Sequence, residues 1–466
     1  MMGAKRPTTA LVLFTLGVAL FGQAVTPTSP QGAAPQGAQP QAGAQDTAIT
    51  LTLEQVVGRA IANQPLILQA EAAVEAARAR VGQAQSTYYP NISAAANYTL
   101  LEPDESIFFP GLGNFSLVPV NNWDFNVGLR QVIFQFGKRG VQVKLAENGV
   151  SAARIGVDQI RISLAFQAAQ GFYTVLFLQE QLKALNEQLQ NLQEHLSATQ
   201  VKEQTGSATR YDELSTGVRI SVLQSQLIEA ENQYQKQSIA LKQLLGMAES
   251  ADLRPSGGFT PTVDDPSDEQ SQLASAMAHR PDVLQAVEAE SAAELNRNLA
   301  TMGAWPTISA HAAMGYKNGI LTSQNLNINA LVFNWMAGIQ VSVPLFQGFL
   351  IARQGEEADK KLLAARENTL AVKRNVTTQV LQALQDADAS RQQVQSAQSQ
   401  LNQATEMLQV VKLQYDLGML SNLEYLDAQA ALERAQLGSL QAQYRAVLSE
   451  LAVKQAIGAV IWETTP

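Results

Sequence analysis

The sequence predicts an α+β chain, mostly helical, in which one helix-strand-strand-helix unit occurs twice. Three observations predict it. The chain repeats on itself at an offset of 212 residues, where Trp123 meets Trp335, Gly206 meets Gly418, Leu214 meets Leu426 and Gly246 meets Gly458; further upstream the offset is 216, where Pro65 meets Pro281 and Pro90 meets Pro306. Within each copy two short segments alternate apolar and polar residues, the period of a two-faced strand. Most of the remainder repeats its apolar residues every 3.5 positions, the spacing of left-handed coiled-coil packing.

With 466 residues, 46% of them hydrophobic, the chain can bury a large core in two or three domains. Thirty-two basic against 41 acidic residues give a formal charge of −9, which argues against nucleic acid as a partner. The sequence has no cysteine, which excludes a disulfide scaffold, a thiol nucleophile, a zinc-thiolate site and a lipid on an N-terminal cysteine. Residues 1–24 read as an export signal: Lys5 and Arg6, an apolar run from 10 to 21, and the small-x-small triplet Gly22, Gln23, Ala24, with cleavage expected after Ala24. Residues 25–47, rich in Pro, Gln, Gly and Ala and without apolar periodicity, read as a flexible leader. No later window is apolar over the length that a membrane helix needs.

The first copy occupies 48–250, a Pro/Gly/Asp-rich linker 251–268, and the second copy 269–460. In the first, 53–86 reads as helix up to Tyr89-Pro90. Ile92, Ala94, Ala96, Tyr98 and Leu100 then alternate with small or polar residues, and after a loop Trp123, Phe125, Val127 and Leu129 do the same. A helix over 140–205 follows, about 100 Å long at 1.5 Å per residue. A turn at Gly206 leads to a shorter helix over 209–245. The two shorter helices of a copy, stacked end to end, match its long one, so each copy forms a rod two helices thick with its strands at one end. The second copy repeats the plan, with strands through Ile308 to Tyr316 and Trp335 to Val343, and a seam at Val380, Ala387, Val394, Leu401, Leu408 and Tyr415.

Strands of 9–11 residues are long enough to cross a bilayer at a tilt. Four strands cannot close a membrane barrel, since the smallest have eight, and an open sheet in lipid leaves edge N–H and C=O groups unpaired. Transmembrane strands therefore require chains to pool them, eight in a dimer or twelve in a trimer. If the segments stay in water, the chain is instead a periplasmic or secreted coiled-coil structural protein.

In this order and spacing, the duplication together with Tyr89-Pro90, Trp305-Pro306, the run Pro344-Leu345-Phe346-Gln347-Gly348 and the Tyr-x-x-Gly turn from Tyr415 to Gly418 resembles the TolC-type outer-membrane efflux proteins over about residues 48–460. The resemblance implies a homotrimer: a 12-stranded β-barrel in outer-membrane lipid, continued by an α-helical coiled-coil tunnel into the periplasm, where it meets a periplasmic adaptor and an inner-membrane pump. Function is then that of an exit duct for small molecules or polypeptides. Many such proteins carry an acylated N-terminal cysteine, which this chain lacks.

The resemblance also selects residues at the far end of the helices. Glu424 and Asp427, at i and i+3, share one helix side and fall where the family carries its constricting acidic ring. Asp212 and Tyr415 match an acidic residue and a tyrosine whose hydrogen bond could hold the tip closed. The family's tip arginine falls on Leu420, so that salt link is expected to be missing and the tip to open more easily. The turns Thr205, Gly206, Ser207 and Gly418, Met419, Leu420 are the expected adaptor-docking points. Nothing in the sequence suggests catalysis, a cofactor or a metal site: it has no Gly-rich phosphate loop, His-Glu-x-x-His or Gly-x-Ser-x-Gly, and its three histidines, His195, His279 and His311, are far apart and read as surface or packing residues.

Overall fold

The computed structural model describes residues 49–102, 106–111, 113–116, 118–248, 250–251, 253–259, 268–320 and 327–459. The export signal 1–24, the leader 25–47 and residues 260–267 of the linker lie outside them. The first copy runs β1 (Ile49–Leu51), α1 (Leu53–Asn63), α2 (Pro65–Gln85), β2 (Asn91–Leu100), a small hairpin of β3 (Ser106–Phe109) and β4 (Gly113–Ser116), β5 (Asn121–Phe134), α3 (Lys138–Gln204) and α4 (Arg210–Leu244). After β6 (Leu253–Pro255) come α5 (Glu269–His279), α6 (Pro281–Thr301), β7 (Thr307–Lys317), β8 (Val332–Ser342), α7 (Leu350–Asp416) and α8 (Asn422–Ala456). In each copy the four helices have 11, 21, 67 and 35 residues, so the repeat holds to the residue in the helices.

Two readings need correction. The segment 53–86 is two helices, not one, because Gln64 is extended (φ −79°, ψ 121°) ahead of Pro65. A proline ring disfavours helical geometry in the residue before it but suits the first turn of the next helix. Arg280 and Pro281 repeat the break in the second copy. The region 251–268 is also more than a linker: Leu253–Pro255 pairs in parallel with Ile49–Leu51, and buried Leu51 and Leu253 join one core with Val56, Val57, Phe172 and Leu245.

The seam is the main source of helix stability, as expected for helices whose apolar residues are confined to one stripe. Leu164, Ala168, Val175, Leu178, Leu185, Leu192 and Thr199 are buried along α3, and Val376, Val380, Ala387, Ser390 and Ala404 along α7. Small residues set the spacing: a Cβ at Gly171 would lie 3.2 Å from Leu241 of α4.

The long strands form one antiparallel sheet in the order β2-β5-β7-β8. Its two faces differ sharply. One carries Ile92, Tyr98, Trp123, Val127, Trp335 and Ile339, all exposed, with Trp335 and Ile339 both at 72%. The other carries Ser93, Asn97, Asp124, Asn126, Ser309 and Gln340. The two outer strands, β2 and β8, each have one strand neighbour within the chain. In a sandwich the apolar face would be the covered one; here it is the face left open. No described helix is long and apolar enough to cross a membrane.

Candidate functional site

Both helical hairpins end in the same local structure. At the first, Gly206 takes φ 76° and the Ser207 N–H donates to the Lys202 carbonyl at 2.7 Å; at the second, Gly418 takes φ 69° and the Met419 N–H donates to the Gln414 carbonyl at 2.8 Å. The left-handed conformation is cheap only for glycine and closes the orphan carbonyls of the preceding helix. The next helix then starts with a capping box. Thr209 caps α4, with its N–H and Oγ1 donating to Asp212 Oδ2 at 2.8 and 2.7 Å. Ser421 caps α8, with its N–H and Oγ donating to Glu424 Oε2, both at 2.8 Å.

Asp212 and Glu424 are therefore equivalent residues of the two copies and do the same thing: each carboxylate satisfies the start of its own helix. The Ser421 N–H, joined by the Ser421 hydroxyl, holds the Glu424 carboxyl below its usual range. Asp427 sits one turn later, exposed on the side shared with Glu424, and its counterpart in the first copy is Ser215. The acidic pair thus consists of one carboxylate tied to a cap and one without that tie.

The structure does not bring Asp212 and Tyr415 together. Among the described residues of the chain no hydrogen bond joins them, and Asp212 Oδ2 accepts from Thr209 instead. The Tyr415 ring instead stacks on Tyr425 at 5.1 Å between centroids, lies 5.5 Å from the His195 ring, and carries the Lys202 ammonium 4.1 Å from its centre. Tyr415 acts here through its ring, as its place on the seam suggested. The six turn residues lie at the two hairpin turns: Thr205, Gly206, Ser207, Gly418 and Met419 are exposed, Leu420 is half-buried, and Met419 shows 71% of its surface.

Sequence reasoning missed the junction behind these tips. His195 of α3 is 8% exposed and Asn422, the first residue of α8, 4%. His195 Nε2 and Asn422 Oδ1 are 2.7 Å apart, and Asn422 Nδ2 donates to the Asp212 carbonyl at 3.1 Å, with Thr216 Oγ1 at 3.3 Å. One amide side chain thus joins α3, α4 and α8, tying the two hairpins of the chain to each other. Burial lowers the His195 pKa and Lys202 lowers it further, against the Asn422 hydrogen bond and Asp416, which raise it. One signal was available: Thr199, a polar residue at a seam position, is fully buried and donates to the His195 carbonyl at 2.9 Å. Among the described residues no group of three or more His, Asp or Glu could hold a metal ion.

The comparisons with known proteins agree with the duplicated fold. The family model described as outer membrane efflux protein matches residues 56–247 and 273–459, one match per copy. The outer membrane protein TolC of Salmonella enteritidis is 21% identical over 413 residues, covering 87% of this chain and 82% of its own. The pyoverdine export outer membrane protein OpmQ of Pseudomonas putida is 24% identical over 424 residues, covering 87% and 85%. Among solved structures, the CmeC outer membrane channel of Campylobacter jejuni shares the fold with a TM-score of 0.73 at 20% identity, over 87% of this chain and 85% of that one. The chain belongs to the outer membrane efflux protein family and is an outer-membrane exit duct of efflux or secretion.

Proposed function

We propose that three copies of the chain pool their sheets into one twelve-stranded barrel in outer-membrane lipid, and that their helices continue it as a tunnel into the periplasm. The observation that carries this reading is the four-stranded sheet, with its apolar face exposed and the outer edges of β2 and β8 without a strand neighbour within the chain. Lipid would cover the first, and only a neighbouring copy's edge can satisfy the second without leaving backbone groups bare in hydrocarbon. Docked on a periplasmic adaptor at the six turn residues, the trimer would act as a passive duct for cargo driven by an inner-membrane pump. Glu424 and Asp427 of three copies would form a ring of carboxylates able to bind cations and select on charge.

The decisive experiment is the mass of the protein extracted in detergent from outer-membrane fractions. A trimer is the expected result; a water-soluble monomer or dimer would overturn the barrel. Because the chain has no cysteine, paired single cysteines scanned along β2 and β8 add a clean check: oxidation should link the copies into a closed covalent trimer. For the tip, Glu424→Gln with Asp427→Asn should remove channel block by multivalent cations, and unchanged block would discard the ring. Cysteine crosslinkers at Ser207 and Met419 should capture an adaptor; a turn pair that never does so is not the docking point.

A further inference from the structure

We propose that Arg130 and His311 form an anion-binding layer on the polar face of the sheet, taking carboxylate or phosphate groups of solutes that pass along it. The proposal rests on the barrel reading, in which this face lines the lumen.

The strand register sets the layer. Asn91 of β2 pairs with Arg130 of β5, Arg130 with His311 of β7, and His311 with Gly338 of β8. Directly opposite residues of neighbouring strands point to the same face, so an amide, a guanidinium and an imidazole stand side by side in one row. Gly338 makes room for the third: a Cβ there would lie 3.0 Å from both Cε1 and Nε2 of His311, so the ring lies across the glycine. Two rows toward the helices and loops flank the layer. The next row toward the loops is mostly small, with Ser93, Gly128 and Ala313, which leaves space in front of the guanidinium.

Charge on this face points the same way. Among the described strand residues its only carboxylate is Asp124, which stands opposite Lys317 near the loop ends of the strands and so is locally offset. Asp124 is six residues from Arg130 along β5, about 20 Å at the rise of a strand. Among the described residues the Arg130 guanidinium has neither a hydrogen bond nor an ion pair, and the residue is exposed. Three copies would place three such guanidiniums and three imidazoles in one layer. Arginine's planar fork fits carboxylate and phosphate oxygens in pairs, and the adjoining imidazole and Asn91 amide add hydrogen-bond donors.

The test is single-channel conductance in planar bilayers, with inorganic phosphate as the probe added on the side of the strand loops. Wild-type channels should be blocked in a concentration-dependent way, and Arg130→Gln should raise the half-blocking concentration about tenfold, with unitary conductance in phosphate-free chloride retained. Arg130→Lys, which keeps the charge but loses the fork, should fall between them, and Gly338→Ala, which displaces the His311 ring, should weaken block with Arg130 in place. The lysine and alanine variants carry the test should Arg130→Gln not assemble. Equal block in wild type and the Arg130 variants, no block of wild type at all, or block lost only in Lys317→Gln would each overturn the proposal. If the wild-type protein forms no channels, the barrel reading fails instead.

Discussion

Asn422 uses both ends of its amide, and the consequences are specific. Asn422→Ala would leave the buried His195 nitrogen without its partner and strip a donor from the Asp212 carbonyl; leaving a buried polar group unsatisfied costs about 1–3 kcal/mol. The expected result is faster amide exchange at the start of α8, with exchange in the mid-seam of α3 unchanged. His195 adds a pH dependence. Its lowered pKa favours the neutral ring in the folded state, so its stabilising effect is complete above the ordinary histidine value of about 6.5 and is lost as pH falls through the interval down to the lowered value. The protection factors of the tip amides, with exchange rates corrected for the intrinsic pH dependence of amide exchange, should therefore fall as the medium is acidified across that interval, and His195→Gln should flatten the response. A response of unchanged slope in that variant would assign the pH dependence elsewhere. At this scale the sequence was only partly legible. The glycine turns could be read from spacing and Asp427 was reached through the family resemblance, whereas the His195 to Asn422 contact joins residues 227 apart and has no counterpart in the repeat, where Met407 and Arg210 stand instead.

Among the elements, the capping boxes change how the acidic residues are to be tested. Glu424 closes the first turn of α8, so a Glu424→Ala phenotype mixes lost charge with a lost cap. Glutamine serves equally at that position of a capping box, so Glu424→Gln should leave α8 protected from exchange and isolate the effect of charge. Ser421→Ala removes the cap itself and should cost about 1 kcal/mol, read as fraying of the first turn of α8. Gly418→Ala must place a side chain at φ 69°, at a cost of about 1 kcal/mol or more, and should loosen the Gly418 turn while the Gly206 turn keeps its protection. The elements themselves were the most legible part of the chain. Heptads sustained over six repeats in each long helix admit little else, but the break at Gln64 was lost in a helical pattern that continues across it. The pairing of β1 with β6 was hidden too, because three-residue strands carry no usable period.

For the whole molecule, the unequal faces of the sheet make the strongest prediction. An arginine on the apolar face of a membrane barrel costs about 2–4 kcal/mol near mid-bilayer. Ile339→Arg should therefore deplete the protein from the outer membrane, whereas Ser309→Arg, on the polar face, should insert normally; immunoblots of fractionated membranes compare them, and equal insertion would deny lipid contact. Alternation in the sequence foretold two faces but not the strand order, which brings the second strand of one copy beside the first of the next and depends on how the duplicated rods pack. Those rods have one more consequence. A helix of 67 residues spans about 100 Å, while the Debye length at physiological salt is about 8 Å. Charges at the hairpin tips and charges on the strands are thus separated by more than ten screening lengths and set their local potentials independently. Neutralising Asp427 leaves the field at Arg130 as it was, and the messenger left between the two ends of the column is the mechanical displacement of the helices themselves.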